Sequence, residues 1–223
     1  MDKEGLAQRF RKVKDGLPSG VLLVAVSKKR TVEEIKALYD LGHRDFGENY
    51  PQELREKQPL LPEDIRWHFI GHLQTNKVKY LAPFVHLVHG VDSRALLDEL
   101  DKRAAQAGRM IDILLQVHIA QEETKHGFSN DEVLPLLSES HTEHWMNLCF
   151  RGLMGMATNT EDNAQVEAEF NGLAALQRQI NALHLPYLAQ FTELSMGMSG
   201  DLDQALAAGS TMVRVGTSIF GAR

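Results

Sequence analysis

The chain has 223 residues, 43% of them hydrophobic and 24% charged, and a formal net charge of −6. This length suits one α/β unit, since barrels of that class run to roughly 200–250 residues as a single domain, and the composition excludes a disordered polymer. The acidic balance leaves no basic stripe for nucleic acid or an anionic membrane surface, so a phosphate-bearing ligand has to be held by local groups.

The opening stretch MDKEGLAQRFRKVKDG is charged, has helical spacing and lacks an apolar signal core. No later run approaches the ~18 apolar residues of a membrane span. The single cysteine, Cys149, has no partner for an intrachain disulfide; in the apolar run from Leu148 to Leu153 it is expected as a buried, inert thiol. Together these features predict a cytoplasmic protein with neither nucleic acid nor membrane as partner.

After the N-terminal helix, Val21 to Val26 is an unbroken apolar run rich in β-branched residues, the pattern of a strand buried on both faces of a parallel sheet. Thr31-Val-Glu-Glu34 then reads as a capping box opening a helix that Gly42 closes. Further strands are predicted at Arg44–Gly47, Trp67–Ile70, Val85–His89, Ile111–Ile119, Cys149–Met154, Glu193–Ser195 and Met212–Val215, each followed by a helical pattern. The stripes Leu96, Leu97, Leu100, Ala104 and Val166, Phe170, Leu173, Ile180 give two of these helices an apolar face that needs a sheet to cover. Eight alternating β and α units predict one domain over residues 1–223, a (β/α)8 TIM-type barrel with an extra N-terminal helix. An open doubly wound sheet is the alternative, but no glycine-rich dinucleotide turn follows the first strand.

Active sites of such barrels sit at the C-terminal ends of the strands, so the residues following each strand are the candidates. They are Ser27-Lys28-Lys29, Glu48-Asn49-Tyr50, Gly71-His72-Leu73-Gln74-Thr75-Asn76, Lys125-His126-Gly127-Phe128, Ser195 to Asp201, and Arg214 to Gly221. The loops after strands seven and eight suit a phosphate: Gly216 lets backbone approach, Thr217 and Ser218 offer caps for a short last helix, and Ser199 offers a hydroxyl. The same residues also read as ordinary turn glycines and helix caps. Lys28 follows a buried strand directly, which suits a partly dry Schiff-base amine, although Lys28-Lys29-Arg30 also reads as a solvated basic turn.

Arg214 interrupts the apolar run Met212 to Val215. It is expected either to pair with a carboxylate such as Glu193 or Glu48, or to face the nitrogen of a pyridine ring. His68 and His72 span a strand end and its loop, so their spacing does not make a metal pair, and no metal is expected. His141 and His144 read as surface residues, and Met196 and Met198 as core filler first and packing for a flat cofactor second.

Taken in chain order, Leu23-Val-Ala-Val-Ser-Lys28, Phe46-Gly-Glu-Asn49-Tyr, Trp67 to Lys77, Arg151-Gly-Leu-Met, Ser195-Met-Gly-Met-Ser199 and Ser210 to Gly221 resemble the pyridoxal phosphate homeostasis protein family, relatives of the alanine racemase N-terminal barrel. The resemblance runs from about residue 21 to the C-terminus. It implies pyridoxal 5′-phosphate (PLP) as cofactor, held as a Schiff base on Lys28. Ser199, Gly216 and Thr217 then take the phosphate, Arg214 faces the pyridine nitrogen and Asn49 lies beside the ring. Lys29 stands where Thr is common in the family, outside those positions.

The resemblance also implies binding rather than turnover. Alanine racemases carry a second β-domain and a tyrosine from a partner subunit, whereas this chain stops at Arg223 after the last motif. An arginine at the pyridine nitrogen keeps its own proton and leaves the ring a weak electron sink. The expected protein is therefore a monomeric, non-catalytic carrier of PLP, with amino acids as further small-molecule partners. A low-activity amino-acid racemase and a cofactor-free Schiff-base aldolase are the alternatives.

Overall fold

The computed structural model describes residues 2–122, 126–138 and 144–221. Lys125, His141 and Arg223 lie outside the described residues. The strands are β1 (Leu22–Val26), β2 (Asp45–Glu48), β3 (Arg66–Phe69), β4 (Leu87–Val91), β5 (Ile111–Gln116), β6 (Leu148–Met154), β7 (Glu193–Ser195) and β8 (Met212–Val215). They run parallel in sequence order, and β8 pairs back onto β1 with Leu22 opposite Met212 and Ala25 opposite Val215. The predicted closed (β/α)8 barrel is what forms, and its strands are largely buried, as a parallel sheet covered by helices requires.

The helices are α1 (Lys3–Asp15), α2 (Val32–Asp40), α3 (Pro51–Lys57), α4 (Arg94–Gln106), α5 (Asn130–Ser138), α6 (Asn163–Asn181), α7 (Leu202–Ala207) and the single turn α8 (Thr217–Phe220). The capping box of α2 forms as read: Thr31 Oγ1 accepts from the Glu34 amide, and the Glu34 carboxylate accepts from the Thr31 amide. Both stripes read from the sequence are buried, on α4 and α6. Between β3 and β4 the chain forms only a 3-10 segment, Thr75–Tyr80, in place of the expected helix.

Two strands, β4 and β5, differ from the sequence reading by more than one residue at an end. β4 starts at Leu87 and not Val85, because the Val85 amide is taken by the Leu81 carbonyl in the preceding turn. β5 ends at Gln116 and not Ile119; beyond it Val117 forms only an isolated bridge to Phe128, with the Phe128 amide donating to the Gln116 carbonyl. Cys149, expected buried, is half-buried near the start of β6, and burial pushes its thiol pKa up.

The apolar side chains divide into two sets. A large outer cluster joins the strands to the helices and includes Phe46, Phe69, Leu97 and Phe170. A small inner one, Val24, Leu87, Leu114, Met154 and Met212, fills part of the barrel. Helix α1 adds Leu6 and Phe10 to the outer cluster, and Arg9 Nε donates to the Ile219 carbonyl of α8 at 2.9 Å. Among the described residues no helix is long and apolar enough to cross a membrane.

Candidate cofactor site at the barrel mouth

All six residues singled out from the sequence, Lys28, Asn49, Ser199, Arg214, Gly216 and Thr217, line one cavity of about 300 Å³. Val26, Ile70, Met156 and Met198 supply its apolar surface. An apolar pocket with a few converging polar groups is the usual form of a small-molecule site.

The loop that carries Lys28 is clamped from behind. The Ser27 amide continues the ladder onto the Gly47 carbonyl at 2.9 Å, and the Arg30 amide closes a turn onto the Ser27 carbonyl at 3.0 Å. Lys57 Nζ, on α3, donates to the same Ser27 carbonyl at 2.8 Å, to Glu48 Oε1 at 2.8 Å and to Glu53 Oε1 at 2.6 Å. Ser27 Oγ donates to Glu48 Oε1 at 2.6 Å. Glu48 is fully buried, and burial pushes its carboxyl pKa up against the pull of Lys57 and Ser27.

The basic triplet does not act as one solvated turn. Lys28 is half-buried in the cavity wall, and Lys29 is exposed at φ 58° with its amide on Glu53. Arg30 lies over the Phe220 ring at 5.4 Å and also lines the cavity, which the sequence reading missed.

Asn49 is held by the following loop: a Cβ on Gly71 would fall 2.4 Å from the Asn49 carbonyl oxygen, so only glycine fits there. Its Oδ1 is buried without a hydrogen-bond partner. An orphaned acceptor of this kind costs about 1–3 kcal/mol unless a ligand donor meets it.

On the other side of the mouth, Ser199 and Thr217 are exposed at the rim. Gly216 packs against β1, since a Cβ there would lie 3.2 Å from Val26 Cβ and 3.3 Å from its carbonyl oxygen. Thr217 and Ser218 do not cap α8 as expected; they are part of it, Gly216 precedes them, and no side chain caps that turn. Met198 lines the cavity, whereas Met196 is core.

Arg214 makes neither of the carboxylate pairs considered from sequence. Glu48 is taken by Lys57, and Glu193 accepts from Thr211 Oγ1 at 2.7 Å. Arg214 Nη1 instead donates to the Ser195 carbonyl and to Ser195 Oγ, both at 2.6 Å, and Nη2 donates to the Gly155 carbonyl at 3.1 Å. Burial lowers the Arg214 pKa to about 10, which leaves it protonated at neutral pH. Its hydrogen-bond acceptors are thus all neutral, and its charge is offset only from a distance, by Asp201.

The remaining mouth residues gather elsewhere. His72 and His126 stack at 4.1 Å beside Asp92, whose carboxylate lies 2.9 Å from His72 Nδ1. One ligand atom from each of His72, Asp92 and His126 lies within 4.8 Å of the others, a cluster of metal-ligand types that the His68/His72 spacing in the sequence does not reveal. His68 is remote from this pair, fully buried inside the barrel, and His144 is exposed. A wider hollow of about 550 Å³ beside α5 is lined by Asp92, Arg94, Asp131 and Glu132, and among the described residues no lysine lines it.

Comparison with known proteins matches this arrangement. The family model described as "Alanine racemase, N-terminal domain" matches residues 1–223. The pyridoxal phosphate homeostasis protein of Pasteurella multocida is 40% identical over 210 residues, covering 92% of this chain and 88% of that protein. The human protein of the same name is 38% identical over 213 residues, covering 90% of this chain and 76% of that one. PipY of Synechococcus elongatus, solved with PLP bound, is 35% identical with a TM-score of 0.85 over 97% of this chain and 100% of that chain. With a closed eight-stranded barrel, a lysine-bearing cavity at its mouth and these relatives, the chain belongs to the pyridoxal phosphate homeostasis protein family, on the alanine racemase N-terminal barrel.

Proposed function

We propose that this protein binds PLP covalently on Lys28 and serves as a carrier that keeps cofactor and amino-acid pools in balance, without catalytic turnover. The observation that carries the reading is the convergence of Lys28, Asn49, Ser199, Arg214, Gly216 and Thr217 on one cavity, in a chain 35% identical to a PLP-bound relative.

The residues fit the group. The orphaned Asn49 Oδ1 needs a polar partner inside the cavity. Ser199, Thr217 and the uncapped amides of the α8 turn gather small donors at the opposite rim, the kind of set that takes a phosphate. Bound there, PLP supplies an aldehyde that condenses with a primary amine and releases water. Lys28 is that amine, fixed by the clamp on Ser27. Arg214 holds its proton and faces the ring nitrogen as a donor.

The lining of the cavity supports a role without turnover. Among the described residues its ionisable side chains are Lys28, Arg30 and Arg214. Racemisation needs a second acid or base on the other ring face, and an arginine is a poor one because it gives up its proton only at high pH. Free amino acids are then exchange partners, whose amines compete with Lys28 for the aldehyde.

The test is the absorption spectrum of the protein mixed with PLP, before and after borohydride, with the modified peptide mapped. A visible band that borohydride removes, a single label on Lys28 and loss of both in Lys28→Ala are expected. Rapid loss of the α-proton from amino acids in deuterated water would overturn the non-catalytic part.

A further inference from the structure

The barrel interior holds a line of polar side chains that cofactor binding at the mouth does not by itself require. His89 on β4 and Ser195 on β7 sit on strands that are not neighbours, yet His89 Nδ1 lies 2.9 Å from Ser195 Oγ, so the contact crosses the interior. From His89 the line continues through Nε2 to His68 Nδ1 at 2.9 Å, and from His68 Nε2 to Asp45 Oδ1 at 3.1 Å. At its other end Ser195 Oγ accepts from Arg214. His68, His89 and Ser195 are 0% exposed, which makes a half-satisfied arrangement costly and a single consistent one strongly favoured.

Chemistry gives the line a direction. Arg66 closes the far end with two bonds to Asp45, Nε to Oδ1 at 2.7 Å and Nη2 to Oδ2 at 2.5 Å. Burial alone would raise the Asp45 carboxyl, but the bonds from His68 and Arg66 outweigh it and hold the group well below the usual carboxylate range. Asp45 is therefore an acceptor only, and His68 donates to it from Nε2. With His68 Nε2 turned to Asp45, its Nδ1 is the atom that meets His89 Nε2 and takes the acceptor role in this line. Burial holds the His89 pKa well below its ordinary value, so its Nδ1 is bare as well and accepts the Ser195 hydroxyl proton. The serine oxygen, having given its proton inward, accepts from Arg214.

We propose that Asp45, His68 and His89 are positioning residues for the cofactor's ring nitrogen, acting through Ser195 as a one-way hydrogen-bond relay that orients Arg214 and tempers its charge. The proposal rests on the reading that PLP fills the cavity with its ring nitrogen toward Arg214. Of the five guanidinium N–H groups three are taken by Ser195 and Gly155, and the relay fixes which edge is left for the cavity. Its anionic end lies across the interior and not beside Arg214, so the guanidinium keeps its charge while its donor strength is lowered through polarised bonds. Neither a direct carboxylate partner nor an isolated arginine would do both.

The first test needs no variant and no ligand. Histidine ring 15N resonances of the wild-type protein should show a proton on Nε2 and a bare Nδ1 in both His68 and His89. A proton on Nδ1 of either ring, or on both nitrogens of His68, would overturn the relay whether or not PLP binds. The second test follows the ring-nitrogen resonance of 15N-labelled PLP on the loaded protein. Asp45→Asn, which removes the anionic end at constant shape, should strengthen Arg214 as a donor and move that resonance upfield, and His68→Gln should also displace it. Leu114→Val, an interior change outside the relay, should leave it in place. An unmoved resonance in the folded relay variants would overturn the coupling, and failure of the wild-type protein to take up PLP would instead overturn the cofactor reading.

Discussion

The two faces of the barrel wall are built on opposite principles. Outside, between strands and helices, one broad apolar cluster runs from Leu6 to Phe220. Inside, five apolar side chains share the space with His68, His89, Ser195 and Arg214, all hydrogen-bonded in series. An apolar shell tolerates many packings that differ little in energy, whereas a buried polar line is satisfied in one arrangement and penalised in the others. The outer face thus accounts for most of the stability of the fold, and the inner face holds the mouth in one geometry.

Substitutions can pull the two roles apart. The largest effect belongs to the outer shell: Phe170→Ala empties a fully buried site on α6 and should destabilise the protein by about 3–5 kcal/mol in denaturant unfolding, with Lys28 still labelled stoichiometrically by PLP and borohydride. Altered labelling in the folded variant would blur the division between the two faces.

Next comes a pH effect, also on the outer face. His43 is wedged edge-on between Phe10 and Phe46, 5.1 Å from each ring, and its Nε2 donates to the Asp45 carbonyl at 2.8 Å. Burial lowers its pKa to about 4. In the unfolded chain it takes a proton near 6.5, so the unfolded state binds more protons between those values. Stability is then fully present above about pH 6.5 and falls as the pH drops toward 4. Unfolding free energies should decrease by about 2 kcal/mol from pH 7 to pH 5 on account of this group, and His43→Gln should flatten that slope.

The smallest effect belongs to the rim of the inner site. Ser199→Ala removes one exposed hydroxyl, and PLP affinity should drop roughly tenfold, about 1.4 kcal/mol, in an absorbance titration with no change in unfolding midpoint. A shift in the midpoint without one in affinity would place Ser199 with the scaffold.

Much of the fold was legible in the sequence because apolar runs such as Val21 to Val26 alternate with striped helices such as α4 and α6. The six cavity residues were legible through the family resemblance, which singled them out from the many polar residues near strand ends. Local backbone competition was not: the turn bond that takes the Val85 amide delays β4, and the Phe128 bridge ends the β5 ladder although Val117 and Ile119 continue the apolar run. Nor were the partners of Arg214 legible, since two of its three acceptors are backbone carbonyls, which every residue has. His68 and His89 are 21 positions apart, and only the closure of the sheet turns both toward the same interior.

The clamp behind Lys28 bears on protein engineering. Ser27, Glu48, Glu53 and Lys57 come from three separate stretches of chain and meet at the Lys57 ammonium, which donates to one carbonyl and two carboxylates. A designer moving this lysine into another barrel would therefore have to transplant the whole quartet. Taking Lys57 alone out of it would strand Glu48 as a buried, unmatched charge at a cost of about 3–5 kcal/mol, so the graft succeeds or fails as a unit.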